Sequence, residues 1–123
     1  MGRILLVDDS QMTRFLLARI VREGGHEIVG EAADGIEAIR KVRETSPDLV
    51  ILDLIMPHMK GIQTLEEIKK ESPETKVIMC TGDHQEYTVR EAVKKGASGY
   101  IIKPFDKKVV LEEIETVLGG KGP

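Results

Sequence analysis

Leu49-Val50-Ile51-Leu52-Asp53-Leu54-Ile55-Met56-Pro57-His58-Met59-Lys60-Gly61 is the stretch that decides the fold of this chain. Four apolar residues follow Pro47-Asp48 without interruption and stop at a carboxylate. A run this short, with no polar residue at every second place, reads as a strand covered on both faces. Asp53 then stands at the carboxyl end of a buried strand. Further apolar runs occupy residues 4–7, 28–29, 77–80 and 100–102, and the stretches between them carry helical periodicity. The alternation predicts an α/β chain with a parallel sheet and helices on both of its faces.

The helices read as follows. Ser10 caps the first, which turns Phe15, Leu16, Ile20 and Val21 to one side and closes at Gly24-Gly25. The second opens on Asp34 with Glu37 three residues on, the spacing of a capping box, and buries Ile36, Ile39 and Val42. Ile62, Leu65 and Ile68 line the third, which ends near Ser72-Pro73. The fourth, around Val89, Ala92 and Val93, stops at Gly96, and the fifth follows Asp106 with Val110, Leu111, Ile114 and Val117.

Composition narrows the functional classes. The chain has 123 residues, 18 Lys and Arg against 21 Asp and Glu, and a net charge of −3, enough for one small acidic domain. With no block of Lys or Arg, neither nucleic acid nor an anionic membrane is expected as a partner. Cys80 is the only cysteine, so no intrachain disulfide forms, and a reducing, cytoplasmic setting fits. The apolar run at residues 4–7 is too short for a signal peptide or a membrane span.

In a doubly wound sheet, ligands sit beyond the carboxyl ends of the strands. The residues there are Asp8-Asp9, Asp53, Thr81 and Lys103-Pro104. Each has an ordinary reading: adjacent aspartates open helices and loops, Thr81-Gly82-Asp83 can simply end a strand, and Lys103 can be a surface lysine. Brought to one edge, three carboxylates repel one another unless a cation compensates. An all-oxygen site of this kind suits Mg²⁺, with Mn²⁺ able to substitute. Lys103 and Thr81 would supply the charge and the hydroxyl needed to hold a phosphoryl group in transfer to Asp53.

These residues resemble the receiver domain of two-component response regulators, and the resemblance covers essentially the whole chain. It rests on Leu6-Val7-Asp8-Asp9-Ser10, Asp34-Gly35, the segment from Pro47 through Asp53 to Gly61, Thr81-Gly82, Gly96-Ala97 and Lys103-Pro104-Phe105. Among receivers it is most similar to the CheY-like stand-alone type. The resemblance implies a flavodoxin-like (βα)5 fold with a five-stranded parallel sheet in the order 2-1-3-4-5. It implies a receiver domain over residues 1–118 and a flexible tail over 119–123. Asp53 would accept a phosphoryl group from a histidine kinase or histidine phosphotransfer protein. Asp8, Asp9, Asp53 and the backbone carbonyl of Ile55 would bind Mg²⁺, and Lys103 would neutralise the phosphoryl group. Thr81 and Tyr100 would act as the switch, with Tyr100 rotating inward, and remodel the face of the fourth helix, fifth strand and fifth helix. Lys103-Pro104 is expected to be cis. The chain would be a monomer that turns over no external substrate and signals to a protein target such as a flagellar switch component in chemotaxis; the alternatives are a phosphorelay intermediate or a receiver excised from a multidomain regulator.

Two departures stand out. Gly82 replaces the Ala or Ser usual after the threonine, and Ile55 and Asp83 occupy the positions that tune phosphoryl lifetime; apolar Ile55 cannot orient an attacking water, Asp83 would either orient one or repel the phosphate, and moderately slow self-dephosphorylation is expected. A haloacid dehalogenase-type phosphohydrolase would need a carboxylate where Ile55 stands. A flavodoxin-like cofactor binder would meet repulsion from Asp8-Asp9. Elsewhere, His26, His58 and His84 read as surface residues and Cys80 as buried and inert. Phe15 and Phe105 read as filling gaps between helix and sheet, although Phe15 lies on the helix that docks the kinase in this family. Met56 and Met59 read as packing against the first helix.

Overall fold

In a computed structural model, which describes residues 2–56 and 58–119, five parallel strands alternate with five helices. The elements are β1 (Arg3–Val7), α1 (Gln11–Glu23), β2 (Glu27–Ala32), α2 (Gly35–Thr45), β3 (Leu49–Leu52), α3 (Gly61–Glu71), β4 (Lys76–Thr81), α4 (Glu86–Lys94), β5 (Gly99–Ile102) and α5 (Lys107–Val117). The sheet order is β2-β1-β3-β4-β5, as expected from the resemblance. Residues 120–123 of the expected tail, and Pro57, lie outside the described residues.

The unbroken apolar runs are explained by a sheet that divides two cores. Leu5, Val7, Val50, Leu52, Val77 and Met79 face one side and pack with Ala38, Ile39 and Val42 of α2, Leu65 and Ile68 of α3, and Ala92 of α4. Their neighbours Ile4, Leu6, Leu49, Ile51, Ile78 and Cys80 face the other, against Leu17, Ala18 and Val21 of α1 and Val110 and Ile114 of α5. Successive side chains point to opposite faces, so a strand with helices on both sides has no place for a polar residue.

Capping follows the sequence closely. Ser10 Oγ accepts from the Thr13 amide, Asp34 Oδ1 from the Glu37 amide and Asp106 Oδ1 from the Val109 amide. The reciprocal bond at α2 runs from the Ala33 amide to Glu37 Oε1, one residue earlier than in a standard capping box.

Several faces differ from the sequence reading. The buried stripe of α1 is Leu17, Ala18 and Val21, and Phe15 and Leu16 lie outside it, so Phe15 fills no gap. One residue is about 100° of helix, enough to move a side chain from the sheet to the solvent. Ile36 and Val93 are exposed for the same reason, with Ala38 and Ala92 holding the inner positions. Phe105 does pack against the α1 and α5 core. Met56 belongs to the core on the α2 side, and Met59 lies against Gly35 at the start of α2, so neither packs on α1. His26 is buried, not surface-borne, because its Nδ1 accepts the Gly2 amide at 2.9 Å and ties the start of β1 down. Among the described residues no helix is long and apolar enough to cross a membrane.

Candidate functional site

Strand register brings the acidic residues together. Val7 pairs with Leu52, the last residues of β1 and β3, so Asp8 and Asp53 emerge side by side. The ladder runs one bond further at each strand: the Asp53 amide donates to Val7 O and the Asp8 amide to Ala32 O, both at 3.0 Å. Thr81 pairs with Ile102 at the ends of β4 and β5, and the Lys103 amide donates to Thr81 O at 2.9 Å. The Lys103-Pro104 peptide is cis. Four strands thus deliver Asp8, Asp53, Thr81 and Lys103 to one edge.

Carboxylate oxygens of Asp8, Asp9 and Asp53 lie within 4.8 Å of one another, with Asp8 and Asp53 buried and Asp9 exposed. The Lys103 ammonium is 2.8 Å from Asp8 Oδ2 and 3.3 Å from Asp53 Oδ2. Burial pushes the Asp53 carboxyl above the usual carboxylate range; Lys103 draws it back and Asp8 raises it further. For Lys103 burial works against the charge, but the hydrogen bond to Asp8 and the charges of both aspartates outweigh it and hold its pKa up. One ammonium does not balance three carboxylates. The donor set is all oxygen, half buried and short of positive charge, and it fits a hard divalent cation such as Mg²⁺.

The turns around these side chains fix their directions. Asp8 Oδ1 accepts the Ser10 amide at 2.9 Å, and Arg14 Nη1 donates to the Asp8 carbonyl at 2.5 Å. The Ile55 amide reaches Asp53 Oδ1 at 3.3 Å, while the Ile55 side chain is 72% exposed. Gly61 opens α3 so close to the loop after β3 that a Cβ there would lie 2.4 Å from Asp53 O and Leu54 Cα. Only glycine lets that helix start where its amide can donate to Leu54 O at 2.7 Å.

Thr81 is buried, and its Oγ1 accepts the Asp83 amide at 3.4 Å. Tyr100, expected to rotate inward, already packs against the α2-side core here, and its hydroxyl donates to Asp83 O at 2.6 Å. Burial, with the charges of Asp83 and Asp53, pushes that phenol up to about 12. The Tyr100 amide donates to Glu113 Oε2, so this residue joins the loop before α4 to α5. His58 and His84 are exposed, and His58, at φ 72°, bonds Asp34 Oδ2 through Nδ1 at 3.0 Å.

The sequence reading passed over the Ser10 amide, Arg14 and Gly61 as builders of this pocket. Gly61 carried a signal, as a glycine at a fixed distance from Asp53, but the Arg14 contact depends on a side chain folding back across a turn.

The family model described as response regulator receiver domain matches residues 4–115. The chemotaxis protein CheY of Thermotoga maritima is 42% identical over 115 residues, covering 94% of this chain and 96% of that protein. The CheY of Halobacterium salinarum is 46% identical over 116 residues, with the same shares covered. A crystal structure of a CheX–CheY–BeF3–Mg²⁺ complex from Borrelia burgdorferi contains a chain that superposes with a TM-score of 0.92 at 37% identity, over 94% of this chain and 87% of that one. A sheet in the order 2-1-3-4-5, an aspartate cluster at its carboxyl edge and matches along nearly the full length agree, and the chain belongs to the response regulator receiver domain family.

Proposed function

We propose that this protein is a phosphoacceptor switch of two-component signalling, in which Asp53 takes a phosphoryl group from a phosphohistidine. The observation that carries the reading is the placement of buried Asp53 beside Asp8, Asp9 and Lys103 at the strand edge. An Asp53 carboxylate oxygen attacks phosphorus, the P–N bond to imidazole breaks, and the imidazole leaves with that electron pair. Asp8, Asp9, Asp53 and the Ile55 carbonyl would hold Mg²⁺, which supplies charge neutralisation for the phosphoryl oxygens. Lys103 shifts its hydrogen bonds from the carboxylates to the new dianion, and the Thr81 hydroxyl donates to another of its oxygens.

The output surface of this reading is formed by α4, β5 and α5. Tyr100 links them, through the Asp83 carbonyl on one side and Glu113 on the other. Met12, Phe15 and Leu16, exposed on α1 near the acidic edge, form the face that receives the kinase or phosphotransfer protein. The CheY relatives favour a role in chemotaxis; the target in this reading is a flagellar switch component and the setting the cytoplasm. Residues 1–118 form the working unit, and the protein turns over nothing but its own aspartyl phosphate.

The test is intact mass after incubation with Mg²⁺ and acetyl phosphate, beside Asp53→Asn. A gain of one phosphoryl group that needs both Mg²⁺ and Asp53 is expected. No gain, together with failure to bind beryllofluoride, overturns the reading.

A further inference from the structure

Arg14 lies one turn into α1 and reaches back toward the sheet. Its Nη1 donates to the Asp8 carbonyl at 2.5 Å and its Nε to Glu31 Oε1 at 2.9 Å, with a side chain only 15% exposed. Glu31 sits on β2, the strand beside β1, and pairs with Leu6. The carbonyl that Arg14 grips belongs to the peptide joining Asp8 to Asp9. That peptide is planar, so holding its oxygen also sets the Asp9 amide and the direction in which the Asp9 side chain leaves the turn. Asp8 has other anchors: its amide is on Ala32 O, and its carboxylate oxygens are on the Ser10 amide and Lys103. Asp9 is exposed, and its aim depends on its backbone.

We propose that Arg14, itself oriented by Glu31, is a positioning residue for the divalent cation at Asp8, Asp9 and Asp53, holding the Asp8–Asp9 peptide so that the Asp9 carboxylate faces Asp53. The inference rests on the reading of this edge as a Mg²⁺-dependent phosphoacceptor site. Its sign separates it from a simple charge effect. A guanidinium this near a dication repels it, so as a bare charge Arg14 weakens Mg²⁺ binding and its removal tightens it. As a clamp it does the opposite. Lysine keeps the charge but lacks the fork that satisfies a carbonyl and a carboxylate at once.

The experiment is titration calorimetry with Mg²⁺ on the full chain, for wild type, Arg14→Gln, Arg14→Lys and Glu31→Gln, each checked for native circular dichroism at 25 °C. Loss of a supporting partner of a metal ligand typically weakens binding by about 10-fold or more. Arg14→Gln and Arg14→Lys are expected to raise the Mg²⁺ Kd by about 10-fold, and Glu31→Gln by a smaller factor. Acetyl phosphate labelling should then need more Mg²⁺ for half-saturation but reach the wild-type plateau. Metal-free amide NMR should show the shifts of Arg14→Gln centred on Asp9 and Ser10. An unchanged or lowered Kd in folded Arg14→Gln or Arg14→Lys overturns the proposal, as does a lowered plateau at unchanged half-saturation. Glu31→Gln, at a half-exposed position, keeps the test decisive if the Arg14 variants do not fold: an unchanged Kd there counts against the clamp. A wild type that binds no Mg²⁺ overturns the functional reading itself.

Discussion

Lys103 Nζ lies 2.8 Å from Asp8 Oδ2, nearer than the 3.3 Å that separates it from Asp53 Oδ2. The difference divides the two buried carboxylates by role. Asp8 is fully engaged, with Lys103 on one oxygen and the Ser10 amide on the other. Asp53 has the longer bond to Lys103 and a 3.3 Å contact from the Ile55 amide. The residue proposed as acceptor is therefore the less stabilised of the pair. Its raised pKa reports the same fact, since burial costs it more than Lys103 returns.

A stability test follows from that asymmetry. A carboxyl whose folded pKa is raised stabilises the fold below its ordinary value near 3.8, and that contribution is lost as pH rises through the folded value. At neutral pH ionised Asp53 is a cost to the metal-free protein. Asp53→Asn is expected to melt above metal-free wild type. Asp8→Ala is expected to melt below it, because the Ser10 amide and Lys103 lose a partner worth about 1–3 kcal/mol. Mg²⁺ at about tenfold over its Kd should stabilise wild type by about 1.4 kcal/mol and Asp53→Asn by less. Thermal melts with and without Mg²⁺ check all three, and a wild type indifferent to the ion would contradict the metal site.

Much of this architecture is legible in the sequence alone. The run from Leu49 to Leu52 is apolar at every place because helices cover both faces, so strand, parallel sheet and the position of Asp53 were all readable from four letters and a carboxylate. The caps Ser10, Asp34 and Asp106 were readable because their chemistry is local. The misassigned faces of α1 and α2 show where that reading ends. Phe15, Leu16 and Ile36 look like core residues by hydrophobicity, while small Ala18 and Ala38 take the inner positions where a helix lies close to the sheet. His26 was beyond reach because its burial depends on an amide 24 residues away in sequence, that of Gly2. The same is true of the Arg14 contact, which needs the turn before α1 to be built first.

Gly61→Ala tests whether the start of α3 sets the acceptor loop. The added methyl would meet backbone at 2.4 Å, from Asp53 O and Leu54 Cα, with no flexible side chain to yield. Overpacking of this kind costs about 1–3 kcal/mol. The variant should melt lower and label more slowly with acetyl phosphate even when fully folded, because the loop that moves carries Asp53. A labelling rate equal to wild type at a temperature where both are folded would uncouple the helix start from the site.

Cys80 provides a probe of the core that is independent of phosphorylation. Burial pushes its thiol up to about 12, with Lys103 drawing it back and Asp8 and Asp53 raising it further. Native protein at pH 8 should react with a thiol reagent only at the rate of unfolding, and denaturant should release one fast-reacting thiol per chain. Fast labelling of the native state would mean that the β4 end opens far more readily than its packing implies.

The lifetime of the proposed aspartyl phosphate would be set by the side chains that can bring water in line with it. Ile55 is 72% exposed beside the acceptor and offers no hydrogen bond to a nucleophilic water. Asp83 does carry a carboxylate, but the Gln85 amide and the Thr88 hydroxyl occupy its oxygens at 3.1 and 3.2 Å. A water-orienting group is therefore missing from one position and engaged at the other. General-base assistance of hydrolysis contributes on the order of 10²-fold when complete, and an amide that only orients the water supplies a fraction of that. Ile55→Asn should shorten the half-life of labelled protein several-fold at unchanged Mg²⁺ affinity, since the backbone at residue 55 is retained. Asp83→Ala should change it little on this account. Decay of the radiolabel measured on all three proteins decides the matter: a wild-type half-life of seconds that Ile55→Asn leaves unchanged would show that water reaches the acyl phosphate by another route.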